Sequence, residues 1–346
     1  MSVYLGSTPV SVYTGGKIVE TVSGTYVWSK HESENSPILD YVVGEKYYDY
    51  PSNGYYNGFY YKKVINGLPY LSFVGNEDFT LKTGNATKNW DGTLEYSTDT
   101  TTWRTWNGTE ISSSGSKLYL RGTGNTKITG SSESFRFAFT GTDALKITCK
   151  GNIENLLDYE TVSAGGHPTM ADYCYYYMFY GCTSLTTTPA LPATTLASYC
   201  YSSMFYGCAA LTTAPELPAT TLGNNCYENM FGGCTSLTTA PSLPATTLAA
   251  GCYSNMFYDC AALTTAPALP ATTLAEFCYV FMFQYCTNIK LSTTKTGEYQ
   301  TAYRIPTSGT GTIALDALTE MFMDTGGTFT GTPNINTTYY TSNTVV

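Results

Sequence analysis

Charge is scarce in this chain: only 12% of its 346 residues are Asp, Glu, Lys or Arg, and the balance is acidic at −9. With 17 basic residues and no basic stripe, nucleic acid is excluded as a partner, because phosphate binding needs clustered Lys and Arg. Histidine is scarcer still. His31 and His167 lie far apart in sequence, which argues against a catalytic or metal-binding histidine cluster. No apolar run is long enough to cross a membrane. The opening MSVYLGSTPVSVYTGGKIVE has neither a basic nor an apolar signal region, so no secretory signal is expected there. G-x-S-x-G, P-loop and H-E-x-x-H motifs are all missing, and no C-x₂-C pair suggests zinc. No cofactor and no metal are therefore expected.

What the chain has is repetition. CYYYMFYGCTSLTTTPALPATTLA begins at Cys174, and close copies begin at Cys200, Cys226 and Cys252. A fading fifth, CYVFMFQYCTNIKL, begins at Cys278. The period is 26 residues throughout, and Cys182, Cys208, Cys234, Cys260 and Cys286 keep it too. A fixed period of this size predicts a solenoid whose units bury their apolar faces against one another. Ten of the 11 cysteines are repeat positions and Cys149 is the other. Their spacing on a helix suits neither a disulfide nor a metal site, so they read as small buried thiols in a reduced core.

Within a copy the spacing predicts a helix. Thr195 would be its N-cap, Leu196, Cys200 and Met204 one apolar stripe, and Gly207 the left-handed stop. The prolines of LTTAPELPATT limit the strand that follows to a brief one. The stop position runs Gly181, Gly207, Gly233, Asp259, Tyr285, so the fifth copy should be distorted, since Tyr tolerates positive φ poorly. Met321, Phe322 and Thr325 align with Met, Phe and the second Cys as a degenerate further copy, and NIENLLDY before the array reads as a capping helix.

The stretches Phe179–Leu185, Phe205–Leu211, Phe231–Leu237 and Phe257–Leu263 read F-x-G-C-x-x-L or close to it. This pattern resembles leucine-rich repeats of the BspA type, departing from it in the Met before Phe, the second Cys and the PALPATT segment. The resemblance implies an α/β repeat fold and an adhesive role. Nearer the start, Tyr50, Pro51, Gly54, Gly58, Phe59, Tyr60, Tyr61 and Lys62 resemble a small module of phage structural and tail proteins, as does VYLGSTPVS. The alternative there is a generic β-hairpin module.

The expected plan is thus mixed α+β and multidomain. Residues 1–67 form an N-terminal β module that anchors to a virion, and 68–150 a β-sandwich-like domain with Leu118 and Leu120 on one face and Phe135, Phe137 and Phe139 on another. An α/β solenoid of BspA-type repeats follows over 151–289, and a degenerate repeat and cap over 290–346. Trp103 and Trp106, with Trp90 nearby, are candidates for a glycan platform; core or turn packing is the alternative. Between copies the text varies chiefly around the supposed helix: Tyr173, Tyr176, Tyr177, Tyr199, Ser202, Ser203, Asn225, Glu228, Asn229, Ser254 and Asn255. Tyr-, Ser- and Asn-rich stripes suit recognition, drift at solvent positions being the alternative.

The function this implies is a non-enzymatic phage virion protein of the fibre or decoration type. It would hold other virion proteins through its N-terminal module and a host-surface protein or glycan through the repeats. A trimer matches such fibres, although no heptad stalk is present. The alternatives are a bacterial BspA-like surface adhesin and a polysaccharide depolymerase that hides two carboxylates.

Overall fold

In the computed structural model the described residues are 68–342, together with the backbones of the strands before them. The chain divides into two compact units, Met1–Pro69 with Glu160–Gly166, and Tyr70–Tyr159 with His167–Val346. In the first unit β1 (Tyr4–Leu5), β4 (Tyr26–His31), β6 (Phe59–Val64) and β5 (Lys46–Tyr47) form one sheet in that order. There β2 (Val10–Thr14) and β3 (Lys17–Val22) pair antiparallel. Of the phage-like motif, Phe59 to Lys62 lie in β6, whereas Tyr50, Pro51, Gly54 and Gly58 fall outside the described residues.

The second unit begins with alternating strands. A six-stranded sheet runs in the order β10 (Arg104–Trp106), β9 (Thr93–Ser97), β12 (Lys117–Thr123), β7 (Leu71–Gly75), β14 (Ile147–Lys150), β15 (Leu185–Thr187). A three-stranded sheet runs β11 (Ile111–Ser112), β8 (Thr80–Thr83), β13 (Phe137–Thr140). Leu118 and Leu120 point to one buried side of β12, as a period of two requires. Phe73 from the larger sheet meets Phe137 and Phe139 from the smaller at 6.5 and 5.3 Å. Phe135 does not share their strand; it ends a short 3₁₀ turn, Glu133–Phe135.

The repeats are not the expected α/β solenoid. Among the described residues the only α-helix is α1 (Asn155–Ser163), and it precedes the copies. Even α1 is broken at Asp158, whose φ of −156° and ψ of 97° are extended. Where a helix was expected, every fourth residue is left-handed: Tyr199 (φ 57°), Ser203 (54°) and Gly207 (71°) in copy two. Tyr173, Tyr177 and Gly181 do the same in copy one, and Asn225, Asn229 and Gly233 in copy three. A right-handed helix cannot pass through such residues. The chain makes successive four-residue turns instead.

Those turns divide the backbone N–H groups into two sets. Tyr176, Met178, Tyr180 and Cys182 donate three residues back, closing turns. The alternate residues Tyr173, Tyr175, Tyr177, Phe179 and Gly181 donate to the carbonyls of Ser198, Cys200, Ser202, Met204 and Tyr206 in the next copy. The same five-bond ladder recurs at each junction along the array. Each bond contributes roughly 0.5–1.5 kcal/mol net. The burial of Cys, Tyr, Met and Phe at two consecutive positions in every four follows from this period.

Apolar rings stack inside the ladder. Tyr175, Tyr201, Tyr227, Tyr253 and Tyr279 form one column at 5.6–5.9 Å, and Phe179, Phe205, Phe231, Phe257 and Phe283 another at 5.5–5.8 Å. Phe322 extends the second column at 5.3 Å from Phe283, and the Phe283 N–H donates to Met321. The expected distortion of copy five is absent: Phe277, Phe281 and Tyr285 take positive φ, and the ladder to Leu315, Ala317, Thr319, Met321 and Met323 is complete. The ladder, once formed, outweighs the local cost of an aromatic residue in that region, roughly 1–2 kcal/mol. The Pro-containing segments contribute isolated parallel bridges, Thr213 to Thr239 and Thr239 to Thr265 among them; only β15 is a full strand. A small sheet of β16 (Leu291–Ser292), β18 (Thr338–Thr341) and β17 (Thr301–Arg304) follows copy five.

Candidate functional site

The left-handed positions explain where the variable residues stand. Tyr173, Tyr177, Tyr199, Ser203, Asn225, Asn229 and Asn255 all have φ between 53° and 60°. No β-branched residue occupies them, in keeping with the steric cost of such side chains in that region. Part of the variation between copies is therefore a choice among side chains this backbone tolerates.

Burial separates the candidates. Ser202, Ser203 and Ser254 are 1%, 4% and 7% exposed, so these three are corrected from surface residues to interior ones. The physical reason is the stacking: Ser202 lies between copies, its carbonyl bound by the Tyr177 N–H and its side chain hydrogen-bonded to Glu228. The Ser254 hydroxyl accepts from the Asn255 side chain at 2.9 Å. Burial raises the Glu228 carboxyl above its ordinary range, and the Ser202 contact only partly opposes this. Asn225, Glu228, Asn229 and Asn255 remain half-buried.

The tyrosines of copies one and two come together. Tyr173 lies flat on Tyr199, with centroids 4.7 Å apart and planes 5° apart. Tyr176 sets its edge against Tyr173 at 5.4 Å and against Tyr177 at 4.2 Å. Tyr177 continues to Tyr180 at 4.8 Å, and Tyr180 lies flat on Tyr206 at 5.1 Å. All six are half-buried, so each ring keeps part of its surface in water. Burial and the neighbouring Tyr177 hydroxyl push the Tyr176 phenol above its usual range. Sequence reading missed Tyr180 and Tyr206. They stand just before the Gly-Cys pair of copies one and two, and a turn period of four would have placed them beside Tyr176 and Tyr177.

Neither tryptophan offers a free platform. Trp106 is 1% exposed, stacks on Trp90 at 5.2 Å and donates from Nε1 to the Thr109 carbonyl, so it belongs to the core. Trp103 is half-buried, but Arg121 covers one face at 4.1 Å. Arg121 also lies over Tyr159 at 4.4 Å and is bound by Glu95 at 2.8 Å.

The cysteines are inert. All 11 are buried and unpaired. The second Cys of each copy after the first donates its thiol to a carbonyl of the preceding copy: Cys208 to Phe179 at 3.2 Å, Cys234 to Phe205 at 3.1 Å, Cys260 to Phe231 at 3.1 Å. Burial pushes the thiols of Cys182, Cys234 and Cys286 up to about 12. Among the described residues no group of three or more His, Cys, Asp or Glu is placed to hold a metal ion, and no helix is long and apolar enough to cross a membrane. His167 does meet an acid: its Nδ1 lies 2.8 Å from Glu154, whose side chain is 1% exposed. Burial raises the Glu154 carboxyl, with the imidazole opposing.

No protein-family model, no curated protein and no solved structure matches the chain. What the arrangement can do has to be read from the side chains themselves. A ring-rich surface held on a backbone bonded copy to copy can bind.

Proposed function

We propose that this protein is a non-catalytic attachment protein of a phage particle, of the fibre or decoration type, that engages a host-surface protein or glycan. The observation that carries the attachment role is the tyrosine patch of Tyr173, Tyr176, Tyr177, Tyr180, Tyr199 and Tyr206. Tyr supplies large contact area at small entropic cost, and rings that already pack on one another lose little freedom on binding. The low charge suits contact through shape and hydrogen bonds rather than ionic steering. The particle assignment rests on the resemblance of residues 50–62 to a phage structural module, which would join other virion proteins.

Immunogold electron microscopy with antibody to the repeat array tests the particle assignment. Label at a fixed site on intact virions supports it; label on bacterial cells and none on particles replaces it with the adhesin. The double substitution Tyr176→Ala and Tyr177→Ala tests the patch. Adsorption to host cells should fall at least about tenfold, the loss of one binding hot spot. Release of sugar from host polysaccharide by the purified protein would overturn the non-catalytic reading.

A further inference from the structure

The ladder that joins the copies ends on an open rung. Its last full set of donors is Phe277, Tyr279, Phe281, Phe283 and Tyr285, bound to the carbonyls of Leu315, Ala317, Thr319, Met321 and Met323. In the same register the next donors are Asp316, Leu318, Glu320, Phe322 and Asp324. The chain itself covers two of them: Phe322 donates to the Gly331 carbonyl at 2.9 Å and Glu320 to the Thr332 hydroxyl at 2.8 Å. Among the described residues no group accepts from the N–H of Asp316, Leu318 or Asp324. At the start of the array, by contrast, Ile128 and Phe137 of the β module donate to the carbonyls of Cys174 and Met178.

Apolar surface gathers beside the open donors. Leu315 is 62% exposed and Ile313 53%, and Phe277, whose N–H donates to Leu315, is exposed too. Among the described residues the only other large hydrophobic side chains so exposed are Leu68 and Tyr285. Unpaired backbone donors next to exposed apolar side chains form a template for one more strand.

Register and charge limit the occupant. Asp316 and Leu318 are two residues apart, and an extended segment presents carbonyls on one side at that interval. A second copy of this chain does not supply them. Its last rung offers donors again, and the Cys174 and Met178 carbonyls at the start of its array are already bound by its own β module. The left-handed positions of the open rung are Asp316, Glu320 and Asp324, with φ of 50°, 50° and 55°, whereas the same positions in copies one to five hold a single acid, Asp259. Glu276 is exposed beside Phe277, and no Lys or Arg occurs over 251–289 or 305–329. Acid facing acid also disfavours a second copy, and a basic partner is favoured instead. We infer that this end of the array takes up an extended basic segment of a different polypeptide. Its carbonyls accept from Asp316 and Leu318, its apolar side chains cover Ile313 and Leu315, and its Lys or Arg side chains meet Asp316, Glu320 and Glu276. This surface is separate from the tyrosine patch and stands without it.

Fluorescence anisotropy of the full chain with two labelled peptides of about eight residues tests the inference, one alternating Lys with Val and the other Glu with Val. The Lys peptide should bind at least about tenfold more tightly than the Glu peptide, and less tightly as salt rises. Ile313→Ser with Leu315→Ser should weaken its binding at least about tenfold, the loss of a hot spot, whereas Tyr176→Ala with Tyr177→Ala leaves it unchanged. Thermal melts establish that each variant is folded. Hydrogen exchange separates main-chain pairing from adhesion through charge alone. The Asp316 and Leu318 amides should exchange fast in the free protein and at least about tenfold more slowly with the Lys peptide bound, while Phe322, already bonded to Gly331, changes little. No binding of the Lys peptide, equal binding of both peptides, binding indifferent to the Ser pair, or binding that leaves the two amides unprotected would overturn the inference. So would sedimentation that shows a dimer of the chain with those amides protected, since a second copy then fills the rung.

Discussion

The thiol of Cys182 donates to the carbonyl of Phe137 at 3.3 Å, across 45 residues of sequence. In every later copy the partner is the repeat Phe of the copy before, so Phe137 of the β module stands where a preceding repeat would supply one. Its N–H completes the imitation by donating to Met178, and its ring meets Phe179 at 5.8 Å. The array therefore starts on a strand residue that takes the place of a repeat Phe.

Phe137→Ala should cost about 3–5 kcal/mol, the usual range for truncating a buried Phe. Chemical denaturation followed by Trp fluorescence checks this. The loss should exceed that of Phe139→Ala, since Phe139 is half-buried and Phe137 is 1% exposed.

Thiol labelling should report unfolding. Burial raises the thiol pKa values, so the native protein should react negligibly with a thiol reagent even at a pH near 9, and all 11 cysteines should react in denaturant. Fast labelling of any copy in the native state would contradict the burial described. Cys208→Ala should cost about 1 kcal/mol for the lost hydrogen bond, plus a small cavity term.

The left-handed positions predict an asymmetry between two substitutions at one site. Asn229→Val should destabilise by about 1–2 kcal/mol, because a β-branched residue is strained there, whereas Asn229→Gly should be nearly neutral. Melting temperatures of the two variants decide it; equal effects would contradict the turn geometry.

Glu154 gives a pH prediction. Its carboxyl is raised in the folded state, so the folded chain holds the proton more tightly than the unfolded one. The stability this contributes is fully present below the unfolded value of about 4.5 and is lost as pH rises through the folded one. Glu154→Gln should therefore gain stability relative to the parent as pH rises from about 4 to 7, measured by denaturant titration at each pH.

The repeat period, the buried thiols and the alignment of Met321 and Phe322 can all be read in the sequence, because they depend only on spacing. The backbone conformation was misread for a specific reason. Leu196, Cys200 and Met204 are spaced four apart, and over two intervals a helical period of 3.6 and a turn period of 4 differ too little to separate. The discriminating signal lay in the intervening residues: Asn225, Asn229, Gly233, Gly251 and Asn255 are suited to positive φ at every fourth position, which no helix repeats. Ser202 and Ser254 were misplaced for the same reason, since a helix would have turned them outward. Trp106 took the alternative of core packing: it ends β10 stacked on Trp90, with its Nε1–H bound to the Thr109 carbonyl.

The alternation of N–H groups along the turns has one more consequence. Each copy offers five donors to its successor and five acceptors to its predecessor, so every junction is interchangeable with every other. A recombination event that adds or drops 26 residues leaves all junctions matched, while one that shifts the register by a single residue points the donors back into their own turn. Length in this protein can thus change in whole steps at little cost to folding, without any new side chain being invented.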